Sequence, residues 1–550
     1  MHLKNRYILY TQLFILWAVI TVSAPSFGGL GPHQILVVYD DNNTESIAIA
    51  EHYAAMRDVP LQNLCPLQVQ EMSGRQIPWE QFSSYWRPQL RSCIESHNYE
   101  AVWAFALSSH LPHRVALQTT NHSISMVAAL QIFFLTQEGA VFAPDTHGVR
   151  NGVILATWQN PAFVGTENPA VDFETRVAGD ITYNATSSMV RSLILPQQQL
   201  MTVETADFEG GLSLAYHLEG LTHADGMALI ENALAGETES VHIGTFVGMR
   251  GVSEPRQIRD PETEFLTNVL NKKGKDTLFL QEHDGSQLPE NLTGFFTGAQ
   301  YIHDTFPFLD FHPAAMADNV TSFGAVDANW VCSDTGCPEN EVQTAIGHLI
   351  ALGASQVHGT VDEPLNNSFP NAGAYYLYDA GYTAAESWFY NQPFLFWQNA
   401  YWGDGLAAPF SERPRIKITT MEDTVVFEAS HSKGISWVGI FKAGQKIYEI
   451  NKETLSIKKN DLGEGHILVV AQAQPYEENH AGLYVSAQLN HSSPMGWIYV
   501  DAAEFTQAMS VTVEPQKNGG CQCDAKGKNK RDFRLLGFLF FAFFALTRKH

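Results

Sequence analysis

Several side chains in this 550-residue sequence have types and spacings that can do chemistry. His303, Asp304, Asp310 and His312 fall within ten residues, and His358, Asp362 and Glu363 follow in the same region. Imidazole nitrogens and carboxylate oxygens are donors that zinc or manganese accepts. The spacing matches no compact ligand template, and 21 histidines make some clustering a matter of chance, so no metal is assigned. His110, His113 and His122 form a looser group of the same kind. Asp362-Glu363-Pro364 closes an apolar run and admits two readings. The carboxylates can face a cleft at the carboxyl end of a parallel sheet, or they can mark an exposed strand end before proline. Trp388, Tyr390, Phe394, Phe396, Trp397, Tyr401 and Trp402 can stack on a sugar or peptide, or pack a core.

The elements that must position these residues follow from periodicity. Gln34–Tyr39 reads as a buried strand and Ser46–Arg57 as a helix, an α/β unit. Ala101–Leu107 is a second strand after an amphipathic stretch from Trp79 to His97. Leu218–Ala235 is a helix with Gly236 as its stop, and Val241–Val247 resumes a strand. Short strands are expected at Thr293–Thr297, running into Gly298, at Asp318–Phe323 and at Ser355–Val361. Helices are expected at Val342–Leu352 and Ala372–Phe389, and an aromatic loop at Trp397–Gly405. From Arg413 the pattern changes to short alternating runs, which predicts a β-sandwich of about 100 residues.

Charge is unevenly placed. The chain carries −25 overall, with +2 on residues 1–28 and +6 on residues 515–550, leaving −33 on residues 29–514. Such a body repels nucleic acid, which excludes that class of partner. Lys4 and Arg6 precede an apolar Tyr7–Val22 and a small-residue stretch to Gly28, the pattern of a signal peptide. Six cysteines fit an oxidising compartment. Cys332 and Cys337 flank a turn-rich Ser-Asp-Thr-Gly and can close a disulfide, and Cys65 with Cys93 can close another. At the far end, Leu535–Leu546 is an apolar run of about 18 Å as a helix, short of a ~30 Å hydrocarbon core.

Ile35–Tyr39 with Ile49-Ala50-Glu51, Ala317–Gly324, Gly353-Ala-Ser, Gly359–Pro364 and Gly403-Asp404 resemble an uncharacterised family of exported bacterial proteins over residues 33–412. More distantly, the order of elements is similar to gingipain-like cysteine peptidases. That resemblance implies a caspase-type α/β core of mostly parallel sheet flanked by helices, followed by an immunoglobulin-like β-sandwich. It also implies a catalytic histidine after Gly298 and a nucleophilic cysteine near residue 322. This chain has Ala299-Gln300 and Thr321-Ser322 there, so the thiol–imidazole couple that such catalysis needs is missing. A rebuilt site would use Ser322 as nucleophile, His303 as base and Asp362, with Thr321, Gln300, Glu363, Trp402 and Asp404 as binding candidates. The tail, with Cys521 and Cys523 ahead of the apolar run, resembles Cys-containing bacterial surface-sorting signals. It implies membrane association and an intramembrane sorting protease as partner.

The expectation is therefore a signal peptide (1–28), two α/β subdomains (29–240 and 241–412), a β-sandwich (413–514) and a basic, hydrophobic sorting tail (515–550). The function expected is an exported, surface-anchored protein with a peptidase-like but inactive core serving binding or structural roles. The alternative is a hydrolase at Ser322, His303 and Asp362. Whether it is an enzyme, its cofactor and its ligand stay open.

Overall fold

The computed structural model describes residues 29–70, 72, 74–96, 102–117, 123–134, 136–137, 140–141, 149–150, 153–154, 158–160, 193–194, 201–203, 211–238, 244–330, 343–364, 368–395, 397–474, 476–477, 491–492 and 494–505. The expected signal peptide, Cys332, Cys337, Phe396, His122, Cys521, Cys523 and the apolar tail lie outside the described residues. The chain divides into two units at Pro515/Gln516, and the description below concerns the first.

Ten strands form the central sheet: β1 (Ile35–Asp40), β2 (Leu64–Leu67), β3 (Ala104–Leu107), β4 (Leu214–His217), β5 (Thr245–Met249), β6 (Thr277–Leu280), β7 (Leu292–Thr297), β8 (Phe311–Asn319), β9 (Gln356–Thr360) and β10 (Asn399–Gly403). Their spatial order is β6-β5-β7-β8-β9-β10-β4-β3-β1-β2. Only the β9–β10 pairing is antiparallel. The sheet therefore contains two parallel halves with the same order of windings, β2-β1-β3-β4 and β6-β5-β7-β8. They run in opposite directions and are joined through β9 and β10. Both faces are covered, which is why the strands read as continuous apolar runs.

Helices flank the sheet: α1 (Thr44–Arg57), α2 (Arg87–Glu95), α3 (Met126–Gln131), α4 (His223–Thr238), α5 (Asp260–Lys272), α6 (Gly347–Ala351), α7 (Gly373–Asp379) and α8 (Ala384–Asn391). The start of α1 is fixed by Asn43, whose side chain accepts from the amides of Glu45 and Ser46, both at 3.0 Å. Asp58 ends it in the left-handed region, at φ 57°.

Several expectations change. The helix expected over Val342–Leu352 covers only Gly347–Ala351 among the described residues, and the strand expected at Asp318–Phe323 starts at Phe311 and ends at Asn319. Gly236 does not stop α4, which continues to Thr238. A Cβ there would collide with Ala314 and the Pro313 carbonyl, so this glycine lets helix and strand approach closely. The expected helix over Ala372–Phe389 is two helices, broken at Gly381 (φ 89°) and restarted by a capping box between Thr383 and Glu386. The aromatic stretch expected as a loop contains β10, the strand that joins the halves. Trp402 pairs with Val357 on one side and with His217 on the other. Buried on both faces, β10 shows no alternation to mark it as a strand.

Beyond Arg413, β11 (Arg415–Thr420), β12 (Thr424–Ser430) and β15 (Thr454–Lys458) form one antiparallel sheet. β13 (Ile435–Lys442), β14 (Gln445–Ile450), β16 (His466–Ala473) and β17 (Met495–Asp501) form another. Ile416, Ile418, Val425 and Phe427 of the first share a core with Val438, Ile440, Ile467 and Val469 of the second. This is the expected sandwich. Phe441, Leu468, Val470 and Met495 make a separate cluster with Trp437 and Trp497, and the His33 ring lies 4.2 Å from that of Phe441. The sandwich thus packs against the start of the α/β core.

Candidate functional site

Strands β7, β8 and β9 are adjacent and parallel, so their ends near residues 298, 322 and 361 line one edge of the sheet. Asn319, at the end of β8, locks the turn after β7. Its side chain accepts from the Ala299 amide at 2.8 Å and donates to the Ala299 carbonyl at 2.9 Å. Thr321 and Ser322 follow. The Ser322 hydroxyl donates to Glu363 Oε1 at 2.6 Å, in an exposed position. The Ser322 amide donates to Gln343 Oε1 at 2.8 Å, the Phe323 amide reaches the same oxygen at 3.3 Å, and the Thr321 hydroxyl donates to it as well. Three donors thus converge on a single amide oxygen.

The other candidates are placed elsewhere. His303 opens a 3-10 turn, Pro307 included, and its ring packs against Tyr301, Phe306 and His348. Asp362 Oδ2 accepts from the Ser123 amide at 3.1 Å, and Oδ1 accepts from Glu363 N at 2.9 Å. The structure therefore joins Ser322 to Glu363 and does not bring His303 or Asp362 to the Ser322 hydroxyl. The Gln300 carbonyl accepts from Thr344 N at 2.9 Å, and its side chain is exposed. Asp310 holds the Asn291 amide at 3.0 Å. His358 is fully buried, its Nδ1 3.0 Å from Asp318 and its Nε2 2.9 Å from Asn399. Arg259 pairs with the other oxygen of Asp318. Burial pushes the Asp318 carboxyl up, but Arg259 and His358 outweigh it and hold it below its ordinary range. The seven His, Asp and Glu residues whose proximity hints at a metal form no three-ligand group among the described residues.

Asp404 is also inside. It pairs with Arg57, accepts from Tyr53 at 2.9 Å and holds the Leu406 amide at 3.0 Å. Trp402 and the remaining described aromatics of the 388–402 set are buried, with Trp388 stacked on Tyr401.

A second constellation gathers at the carboxyl ends of β2, β3 and β4, where the sequence offers only an unremarkable histidine group. His113 Nε2 is 2.8 Å from Glu219 Oε2, and Arg75 Nη2 is 2.7 Å from Glu219 Oε1. The His110 amide also donates to Oε1, at 3.2 Å, from a residue with φ 64°. His217, the last residue of β4, stacks on Trp402 with ring centroids 4.8 Å apart, and the His113 ring stands edge-on to both. His113, His217 and Glu219 are 1%, 0% and 4% exposed. Among the described residues, both ring nitrogens of His217 and Nδ1 of His113 have no hydrogen-bond partner. Burial, then repulsion from His113, hold the His217 imidazole well below its ordinary pKa, so it is neutral. Burial alone would raise the Glu219 carboxyl, but Arg75 and His113 pull it far down, so it is ionised. Sequence reasoning misses this group because His113 and Glu219 are 106 positions apart. The available signal is weak: each polar group follows an apolar strand, Ala104–Leu107 or Leu214–His217.

No protein-family model matches the chain. No curated protein matches it. A solved structure described as "Structure of Protease" is similar at 10% sequence identity and a TM-score of 0.40, covering 85% of this chain and 97% of that one.

The Cys65–Cys93 disulfide is present. Among the described residues, no helix is long and apolar enough to cross a membrane.

Proposed function

We propose that this chain is exported, is held at a cell surface through its C-terminal tail, and uses its α/β core as a binding or structural body rather than as a peptidase. One observation carries the reading of the core. At the end of β8, the Ser322 and Phe323 amides and the Thr321 hydroxyl all point at Gln343 Oε1. Acyl transfer needs such donors aimed at a developing oxyanion, and a nucleophile activated by a base matched to the working pH. Here an amide oxygen already takes the donors, and the hydroxyl faces a carboxylate instead of an imidazole. Supporting the export reading are the charge layout at both ends and a disulfide, the bond of oxidising compartments.

The core is tested with a fluorophosphonate probe on the full chain. No labelling is the expected result, with or without Ser322→Ala. Labelling that Ser322→Ala abolishes overturns the reading in favour of a serine hydrolase assisted by Glu363. Cell fractionation with surface proteolysis tests location, and a cytoplasmic, protected chain refutes that part.

A further inference from the structure

The His113, His217 and Glu219 cluster shares no residue with the Ser322 edge: the two halves of the sheet run in opposite directions, so their carboxyl ends lie at opposite ends of the strands. A buried polar group without a partner costs about 1–3 kcal/mol. His217 is fully buried with both ring nitrogens unpartnered, and His113 Nδ1 adds a third such atom. One ligand atom from each of His113, His217 and Glu219 lies within 4.8 Å of the others.

We infer that these three side chains form a binding site for one divalent transition-metal ion of the zinc class. Two imidazoles and a carboxylate are a donor set for first-row metals, and the remaining position is left to solvent or a ligand. Arg75 sharpens the choice. It holds Glu219 Oε1 at 2.7 Å and leaves Oε2 facing His113, the arrangement of an outer partner that orients a ligand. Its charge also offsets that of Glu219, which disfavours calcium or magnesium, since these ions are held by clustered carboxylate and carbonyl oxygens. The ion takes the place of the proton shared by His113 and Glu219, and that proton leaves to solvent. Trp402 and Trp330, whose rings lie 5.3 and 5.1 Å from His113, wall the site with apolar surface. The inference is independent of the inactive-core reading.

The probe is cobalt(II), dialysed against the full chain, with metal content and visible absorption as readouts. One cobalt per chain with a d–d band is expected, retained against excess magnesium and displaced by zinc. Glu219→Gln is expected to weaken binding by at least about tenfold. His217→Phe, which keeps the ring stacked on Trp402, is expected to abolish it. No retained cobalt, or cobalt retained equally by both variants, overturns the proposal. Should His217→Phe fail to fold, anomalous diffraction from the cobalt-soaked wild type decides. A peak between His113 and Glu219 supports the site, and a peak elsewhere or none refutes it.

Discussion

The two halves of the central sheet share one order of winding but equip their carboxyl ends differently. At the carboxyl ends of β2, β3 and β4 stand His113, His217 and Glu219, dry and walled by tryptophan, with a half-buried Arg75 beside them. After β8 and β9 stand a buried Thr321 and, partly open to water, Ser322 and Glu363, with the backbone amides already satisfied by Gln343. Topology therefore places functional groups without choosing their chemistry. Dielectric decides what each set can do: charges and imidazoles act strongly only where water is excluded, whereas an exposed hydroxyl–carboxylate pair is worth little.

Each half also contains a buried arginine–aspartate pair that pins its strands, Arg57–Asp404 beside β4 and Arg259–Asp318 on β8. Removing Arg57 or Arg259 leaves a buried carboxylate without its guanidinium partner, and each alanine variant is expected to lose about 3–5 kcal/mol in urea unfolding. If the ten strands behave as one cooperative body, both variants shift a single transition. A second transition in either variant would show that the halves fold separately, and breaks the comparison into two domains.

Among the described residues, only one half is tied by an ion pair to the sandwich linker. Glu237, on α4, bonds Arg57 at 2.9 Å and Arg413 at 3.0 Å. Burial opposes its ionisation, but Arg413 and Arg57 outweigh this and lower its carboxyl from 4.5 to about 2. A depressed carboxylate adds stability that is complete above the unfolded pKa of 4.5 and disappears as pH falls towards 2. Glu237→Gln is expected to be less stable at pH 7 by about 2 kcal/mol and to have a flatter acid limb between pH 4.5 and 2. Unfolding curves at several pH values check this, and an unchanged acid limb would mean that other carboxylates dominate.

The smallest effect has the opposite sign. Asp58 ends α1, and burial raises its carboxyl from 3.8 to about 6 despite Arg57 and a hydrogen bond from Trp497. The folded state therefore holds a proton that the unfolded chain releases, and stability falls as pH rises from 3.8 to 6. Asp58→Asn, which tolerates the left-handed backbone, is expected to stabilise by about 1 kcal/mol at neutral pH and by nothing below pH 4. Thermal melts at pH 4 and pH 7 distinguish these outcomes.

Local pattern was informative where one face of an element meets water. Strands β11, β12 and β15 alternate inward and outward residues, so the sandwich could be read directly from period-two spacing. The parallel runs at β1, β3, β7 and β9 were readable as buried strands from their unbroken apolar character.

Other features needed the assembled fold. β10 carries residues buried on both sides and looks like an aromatic loop until β9 and β4 flank it. Gly236 resembles a helix stop until Pro313 is seen against it. Ser322 finds Glu363 and not His303, since side-chain partnership depends on where separate loops converge in space. The imidazole–carboxylate cluster is the clearest case. Its members are distant in the chain, and their spacing carries no signal until β3 and β4 are hydrogen-bonded side by side. Residue types and local periodicity are properties of neighbours along the chain, whereas burial, charge pairing and ligand geometry arise between segments that meet only on folding.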